Sequence, residues 1–153
     1  MQLYKMTPLL IALLCGCAGT RANVVNPYTH SPEDRFAFEI LNLANAPEAG
    51  ISVLRDQLAR RQADTTVDPE NPTRTVTIEI KYYYARPGAS RDIFGIMAGS
   101  DNVTTTTTIK DVDSGEILGN AKHVTRNPSL LGINALIRKH ADQIVDFVLS
   151  KGT

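Results

Sequence analysis

The clearest periodic pattern in the chain is an alternation of apolar and polar positions between residues 76 and 84. Threonine, glutamate, lysine and tyrosine separate an alternating set made of Val76, Ile78, Ile80, Tyr82 and Tyr84. Because successive side chains of a strand point to opposite faces, this pattern predicts a β-strand with one face in the core. The same alternation leaves Tyr83 by itself on the solvent face.

A β-hairpin is predicted after this strand. Residues 103–112 favour strand throughout, and Asp113, Ser114 and Gly115 supply a tight turn into a second strand over residues 116–125. The first of these strands contains threonine at every position from 104 to 108. We interpret this run as ordinary strand composition rather than as a ligand-binding ladder, because threonine favours strands.

Helical spacing of apolar residues appears on both sides of these strands. A first helix is expected to start at Ser31, which can cap it, because a proline and two acids follow. Its apolar stripe contains Phe36, Ile40 and Leu43, is interrupted at Pro47 and Gly50, and resumes at Ile51, Leu54 and Leu58. A C-terminal helix opens at Asn127 and Pro128, and its stripe contains Leu130, Ile133, Ile137, Ala141, Ile144 and Val148.

The predicted order of elements is helix, strand, strand, strand, helix. This order favours an α+β fold: a small antiparallel sheet of three to four strands, with the N-terminal and C-terminal helices packed on one face. A fourth strand would be a short one over residues 23–25. Residues 30–153 are expected to form a single domain.

The N-terminus has the layout of an export signal. Lys5 provides the positive charge, and residues 9–14 form an apolar run much shorter than the roughly 20 residues that a membrane-spanning helix needs. The run ends in Leu14-Cys15-Gly16-Cys17, which resembles the lipobox of bacterial envelope lipoproteins. The resemblance implies a signal peptide over residues 1–16, cleavage between Gly16 and Cys17, and lipidation of Cys17. The alternative is an ordinary secretory signal that contains cysteines.

A lipid anchor on Cys17 implies attachment to an envelope membrane. Ala18 follows the cysteine, whereas an aspartate there resembles the inner-membrane retention signal of enteric bacteria, so the expected location is the outer membrane, facing the periplasm. Residues 17–29 are rich in small and polar residues and are interpreted as the lipidated cysteine and a tether. Fully extended, such a tether would place the domain roughly 30–40 Å from the bilayer, within reach of another envelope protein.

Charge and cysteine content exclude several classes of function. Removal of the leader takes away Lys5 and no acid, which leaves fifteen basic residues against sixteen acidic ones. Nothing in this net charge attracts nucleic acid or an anionic bilayer. Both cysteines precede residue 18, so the mature domain has no disulfide and no thiolate metal ligand. His30, His123 and His140 lack metal-ligand spacing, and we expect no metal and no cofactor.

The loop before the hairpin contains several glycines, and its pattern suggests a family. The segment Gly88-x-x-Arg91-x-x-x-Gly95-x-x-x-Gly99, the threonine-rich strand, the run Asp111-x-Asp113-Ser114-Gly115-Glu116-Ile117-Leu118 and the terminal helix resemble uncharacterised lipoproteins of the DUF4410 type. The helix–sheet–helix plan is also similar to other small envelope lipoproteins, such as the YajG type and auxiliary subunits of lipid-transporting ABC systems. No catalytic residue is implied by either resemblance.

Three interpretations of the same loop can be compared: a phosphate cradle, a bend between strands and a partner surface. A phosphate cradle is disfavoured, because no Gly-Lys-Ser/Thr closes the motif and the loop lies between two strands. Glycines that allow a bend between the strands are the simple interpretation. The alternative is a partner surface formed by Phe94, Ile96 and Met97, which would expose apolar area if the loop projects.

Two functions remain after these exclusions. No nucleophile elbow, carboxylate pair or Cys/His pair is present, so we expect no enzyme. The first function is a non-enzymatic binding or scaffolding module of the cell envelope. The second is an auxiliary or carrier subunit of lipid or outer-membrane transport, which would need a continuous apolar groove between helices and sheet.

Overall fold

Within the described part of the chain, a five-stranded sheet carries two helices on one face. The computed structural model describes residues 19–62, 68, 70–87, 99–127 and 132–151. The elements in chain order are β1 (Gly19–Asn26), β2 (Phe36–Asn42), α1 (Glu48–Gln62), β3 (Arg74–Tyr84), β4 (Asp101–Asp111), β5 (Ile117–Asn127) and α2 (Ile133–Val148). The strand order is β1-β5-β4-β3-β2.

The predicted sheet of three to four antiparallel strands is therefore wrong. Five strands are present, and the sheet is mixed, because β2 pairs with β3 in parallel while all other neighbours are antiparallel. A parallel pair requires a crossover connection, and α1 provides it. The first helix consequently lies between two strands instead of preceding the sheet.

β2 replaces the first part of the predicted N-terminal helix. Phe36 and Ile40 are four residues apart, a spacing that fits one face of a helix and also one face of a strand, because four is a multiple of two. Phe36 is fully buried and Phe38 packs against the core, as a strand period requires, whereas Leu43 is exposed. Ser31 belongs to a turn, in which its carbonyl accepts the Asp34 N–H at 3.0 Å.

α1 begins at Glu48, in the interruption around Pro47 and Gly50 where the sequence predicts a kink or a restart of the helix. The side chain of Asn42 accepts the Ala46 N–H at 2.8 Å and donates to the Ala46 carbonyl at 3.0 Å, which closes a turn after β2. Asn45 has a φ of 51°, and the helix follows directly after Pro47. The predicted stripe is confirmed beyond this point, since Ile51, Leu54 and Leu58 are buried.

β1 corrects the predicted tether. Residues 19–26 pair with β5 along their length, and Tyr28, which follows them, is buried against the core. Most β1 side chains are exposed, so this edge strand lacks the alternation that identified β3. The short strand anticipated over residues 23–25 is part of this longer one.

A β-bulge at Lys81 reverses the predicted faces of the tyrosines. Ile80 pairs with Thr105 and Tyr82 with the adjacent Thr104, so Lys81 is an extra residue in β3. After the bulge, Tyr83 faces the helices. A Cβ added to Gly50 of α1 would lie 2.9 Å from the Tyr83 hydroxyl oxygen. Tyr82 and Tyr84 are exposed, at 49% and 42% of their surface.

The two helices cover the same face of the sheet and contact each other. The predicted start of the C-terminal helix at Asn127 is wrong, because Asn127 ends β5 and α2 begins at Ile133. Its predicted stripe is confirmed from Ile137 onwards, since Ile137, Ala141, Ile144 and Val148 are buried. Arg61 of α1 reaches α2, where its Nη2 lies 2.9 Å from Asp146 Oδ1. In the described part of the chain, no helix is long and apolar enough to cross a membrane.

Gly119 of β5 provides a test of this packing. A Cβ at this position would lie 2.7 Å from the Tyr28 Cβ and 3.3 Å from the Phe147 Cζ. Because these neighbours belong to a buried cluster and cannot retreat freely, we expect Gly119→Ala to lower the free energy of unfolding by about 1–3 kcal/mol. Denaturant unfolding measures the change. An unchanged midpoint would mean that the contact between β1, β5 and α2 is looser than described.

Candidate functional site

The core face of the sheet under α2 carries polar side chains among the apolar ones. The register of β4 and β5 places Thr105 beside His123 and Thr107 beside Ala121 on this face. α2 brings His140 down onto them. His123, His140 and both threonines are fully buried, which makes this the main polar cluster of the core.

The two ring nitrogens of His140 bind to two strands, and Thr125 extends this network to a third. Its Nε2 lies 2.9 Å from Thr105 Oγ1, and its Nδ1 lies 2.7 Å from Thr125 Oγ1. Thr125 in turn donates to Thr20 Oγ1 of β1 at 3.3 Å. Because the Thr125 hydroxyl donates its hydrogen to Thr20, its oxygen accepts from the Nδ1–H of His140. The other ring nitrogen, Nε2, then carries no hydrogen and accepts from the Thr105 hydroxyl. The network links α2 to β4, β5 and β1.

His123 has no such network. Its ring packs against Phe147 at a centroid distance of 5.8 Å and against His140 at 6.2 Å. Neither of its ring nitrogens has a hydrogen-bond partner among the described residues. Burial lowers the pKa of His123 to about 4. Burial, followed by electrostatic repulsion from His123, lowers the pKa of His140 to about 3.

The chemistry open to this cluster is limited by its burial. A neutral histidine beside a threonine hydroxyl is the kind of pair that activates a nucleophile. Here both partners are sealed beneath α2, whereas substrate sites are clefts that reach solvent. Within the described ranges, no three His, Cys, Asp or Glu side chains gather as a metal site would require. The cluster holds α2 on the sheet.

A buried ion pair closes one end of the sheet. Arg86, just after β3, and Asp101, at the start of β4, are both fully buried, with Arg86 Nε 3.3 Å from Asp101 Oδ1. The same carboxylate accepts the Arg86 backbone N–H at 2.8 Å. The guanidinium also donates to the Gly99 carbonyl at 3.0 Å and the Asn127 carbonyl at 3.4 Å. The ends of β3, β4 and β5 are thereby tied together.

A second charged cluster lies at the opposite end. Asp34 is buried and accepts from the Tyr28 hydroxyl at 2.5 Å, while Arg74 Nε lies 3.1 Å from its other oxygen. Arg74 also pairs with Asp111, next to the β4–β5 turn. Burial, followed by the hydrogen bond to Asp34, raises the pKa of Tyr28. Hydrogen bonds from Ser114 lower the pKa of Asp111. These contacts fix the loop before β2 to the sheet.

The opposite face of the sheet is not covered by either helix, and we call it the outer face. Near the start of β1, the strand register aligns residues of four strands in rows across this face. One row contains Gly19, Arg126, Asn102 and Tyr84, and the next contains Arg21, Val124, Thr104 and Tyr82. The two arginines are exposed, and a groove lined by them, Gly19, Thr20 and Val124 opens on this side.

The predicted site residues fall largely outside these features. Gly16, Cys17 and the candidate partner surface Phe94, Ile96 and Met97 all lie outside the described residues. Of the three histidines, His123 and His140 lie together in the core, while His30 stacks on Phe36 at 5.8 Å. The threonine run is confirmed as part of a strand, with residues 105 and 107 facing the helices.

The arginine and tyrosine rows of the outer face were not identified from the sequence. Arg21 lies in a segment interpreted as a tether, and the bulge reverses the faces of Tyr82 and Tyr84. A signal was available only for β1, where Val24 and Val25 favour strand. The grouping of these side chains depends on pairing between distant segments, which the sequence pattern does not contain.

Comparison with known proteins shows the fold but no family. No family model matches the sequence, and no curated protein matches it. The fold is similar to that of PelC from Paraburkholderia phytofirmans, solved as a dodecamer in two crystal forms. A variant in space group C2 gives a TM-score of 0.64 at 16% identity and covers 86% of this chain and 98% of that chain. The form in space group P6 gives 0.63 at 15% identity, with the same coverage.

A weaker likeness involves a Caulobacter crescentus protein predicted to be a lipoprotein. It has a TM-score of 0.41 and 14% identity over 73% of this chain and 89% of that chain, which is too little to support an argument. The resemblance to DUF4410-type lipoproteins has no support from these comparisons. Membership of that group therefore stays a prediction of the sequence motifs.

Proposed function

We propose that this chain is a lipid-anchored envelope protein that acts as a non-enzymatic scaffold by associating with copies of itself. The observation that carries the proposal is the likeness of nearly the whole fold to PelC, whose chains assemble as a dodecamer. The lipobox-like run before Cys17 supports the anchor. A scaffold on a membrane surface needs contact surfaces rather than a reactive centre.

Apolar residues at both edges of the sheet support self-association. Val25 on the edge strand β1 is 70% exposed, and Leu43, directly after the opposite edge strand β2, is 57% exposed. Each of these strands pairs on one side only within the described sheet. Contact between the β1 edge of one copy and the β2 edge of the next would be heterologous, and such contacts generate rings when the rotation closes.

Transport by carrying a lipid is the less favoured alternative. An apolar cavity between α1 and the sheet, lined by residues such as Leu54, Ile80 and Tyr83, has a volume of about 10 Å³. Ligand sites usually measure roughly 300–1,000 Å³. The space between this helix and the sheet is thus filled by side chains rather than shaped for an acyl chain.

Self-association is tested by the mass of the purified protein. We expect the wild-type chain to form a defined oligomer, and we expect Val25→Lys and Leu43→Lys each to dissociate it, because a buried unpaired ammonium is costly. Asp113→Lys, in the exposed β4–β5 turn away from both edges, is the control and should leave the mass unchanged. Size-exclusion chromatography with light scattering, at micromolar concentration, measures the mass. A wild-type monomer at micromolar concentration contradicts the proposal.

The anchor is tested through the two cysteines of the lipobox-like run. We expect Cys17→Ser to accumulate as an unprocessed precursor without lipid, and Cys15→Ser to be processed normally. The reason is that only Cys17 follows a small residue, Gly16, at the cleavage point. Labelling with a fatty-acid analogue, followed by gel mobility, measures both steps. Label on the Cys17→Ser chain would show that the anchor is elsewhere.

A further inference from the structure

The distance from the anchor to the folded domain is very short. Cys17, the proposed site of lipidation, is two residues before Gly19, the first residue of β1. At about 3.5 Å per residue, the chain between them spans at most roughly 7 Å. The start of β1 must therefore lie next to the headgroups of the membrane, and not at the end of a tether.

The side chains at this end of the outer face are suited to a lipid surface. Arg21 and Arg126 flank the start of β1, and Tyr82 and Tyr84 complete the same two rows. All four are exposed. We call them the basal patch. Guanidinium groups bind phosphate through paired N–H donors, and tyrosine places an apolar ring and a polar hydroxyl at the membrane–water boundary.

The far end of the sheet, at the β4–β5 turn, exposes acidic side chains. β5 has 11 residues, so its ends are roughly 33 Å apart at about 3.3 Å per step. Asp113 and Glu116 are exposed at the β4–β5 turn; of the bases beside it, Lys110 is exposed and Arg74 is paired with Asp34 and Asp111. An anionic surface would attract the basal patch and repel this turn, which gives the domain one preferred orientation.

We propose that the basal patch docks on the phosphate-bearing headgroups of the membrane that holds the anchor. This inference rests on the proposed lipid anchor at Cys17. The partner of the outer face is then a phospholipid surface, which contacts the sheet at the end where β1 begins. The orientation would place both sheet edges parallel to the membrane normal, where neighbouring copies can meet them.

Tryptophan fluorescence tests the orientation directly, because the chain contains no tryptophan. Tyr84→Trp introduces a reporter in the basal patch. Val112→Trp is the matched control, because Val112 is 45% exposed, close to the 42% of Tyr84, and lies at the far end of β4. Each full-length variant is matured in cells, purified with its acyl chains verified by mass spectrometry, and reconstituted in vesicles of phosphatidylethanolamine and phosphatidylglycerol.

We expect a nitroxide lipid labelled near the headgroup to quench Tyr84→Trp strongly and Val112→Trp little. Adding Arg21→Ser or Arg126→Ser to the reporter should lower the ratio of docked to free domain about fivefold for each charge removed. Equal quenching of the two reporters on acylated protein overturns the docked orientation and leaves the anchor intact. Protein that carries no acyl chain overturns the proposed anchor itself, and the docking inference with it.

Discussion

Asp101→Asn should destabilise the protein more than any other single charge removal considered for this fold. Arg86 and Asp101 are both fully buried, and the substitution removes the negative charge that pairs with the guanidinium, at nearly unchanged volume. Breaking one partner of a buried pair typically costs about 3–5 kcal/mol. Because the total stability of a domain is only about 5–15 kcal/mol, we expect a large fraction of it to be lost.

An exposed pair provides the control for this experiment. Arg55 and Glu48 lie 3.4 Å apart on α1, with side chains 59% and 74% exposed. Exposed pairs contribute about 0–1 kcal/mol, so Glu48→Gln should change the unfolding midpoint only slightly. Urea unfolding followed by circular dichroism measures both variants. Equal, small losses of unfolding free energy in Asp101→Asn and Glu48→Gln would show that Arg86 reaches solvent and is not held by Asp101 alone.

Acidification to pH 5 should weaken the fold through its two buried histidines. Both are neutral in the folded protein, with pKa values of about 4 for His123 and about 3 for His140, against an ordinary value of 6.5. The unfolded chain therefore binds more protons below pH 6.5. Stability is complete above that pH and declines as the pH falls towards 4 and 3, by about 2 kcal/mol for each histidine at pH 5.

The two histidines respond differently to replacement. His123→Leu removes two buried nitrogens that have no partner among the described residues, so stability at pH 7 should be unchanged or raised, and the loss at pH 5 roughly halved. His140→Leu leaves Thr105 without its hydrogen bond and should cost about 1–3 kcal/mol at pH 7. Denaturant unfolding at both pH values compares them. A wild-type stability that is the same at pH 7 and pH 5 would contradict the burial of both rings.

The elements identified correctly from the sequence are those whose signals are local. The alternation over residues 76–80, the Asp113-Ser114-Gly115 turn and the stripe of α2 each depend on neighbours within one turn or one strand. Such patterns follow from the periods of strand and helix alone. For the same reason, the N-terminal motif could be interpreted without any fold.

Tertiary structure decided what the local signals left ambiguous. β2 is a strand because pairing with β3 satisfies its backbone, although Phe36 and Ile40 fit a helical stripe equally well. β1 is held by β5 despite its polar composition, because an edge strand buries little and needs no apolar alternation. The bulge at Lys81 then exchanged the faces of the tyrosines.

Of the two candidate functional features, one follows from the sequence and the other only from the tertiary structure. The lipobox-like run before Cys17 is a prediction from the sequence alone, because such a motif consists of adjacent residues. The basal patch could not be predicted in this way, since Arg21 and Arg126 are more than a hundred residues apart and meet only when β1 pairs with β5. Side chains from distant segments share a face because of the register in which their strands pair. The sequence of a polar strand such as β1 specifies that register only weakly.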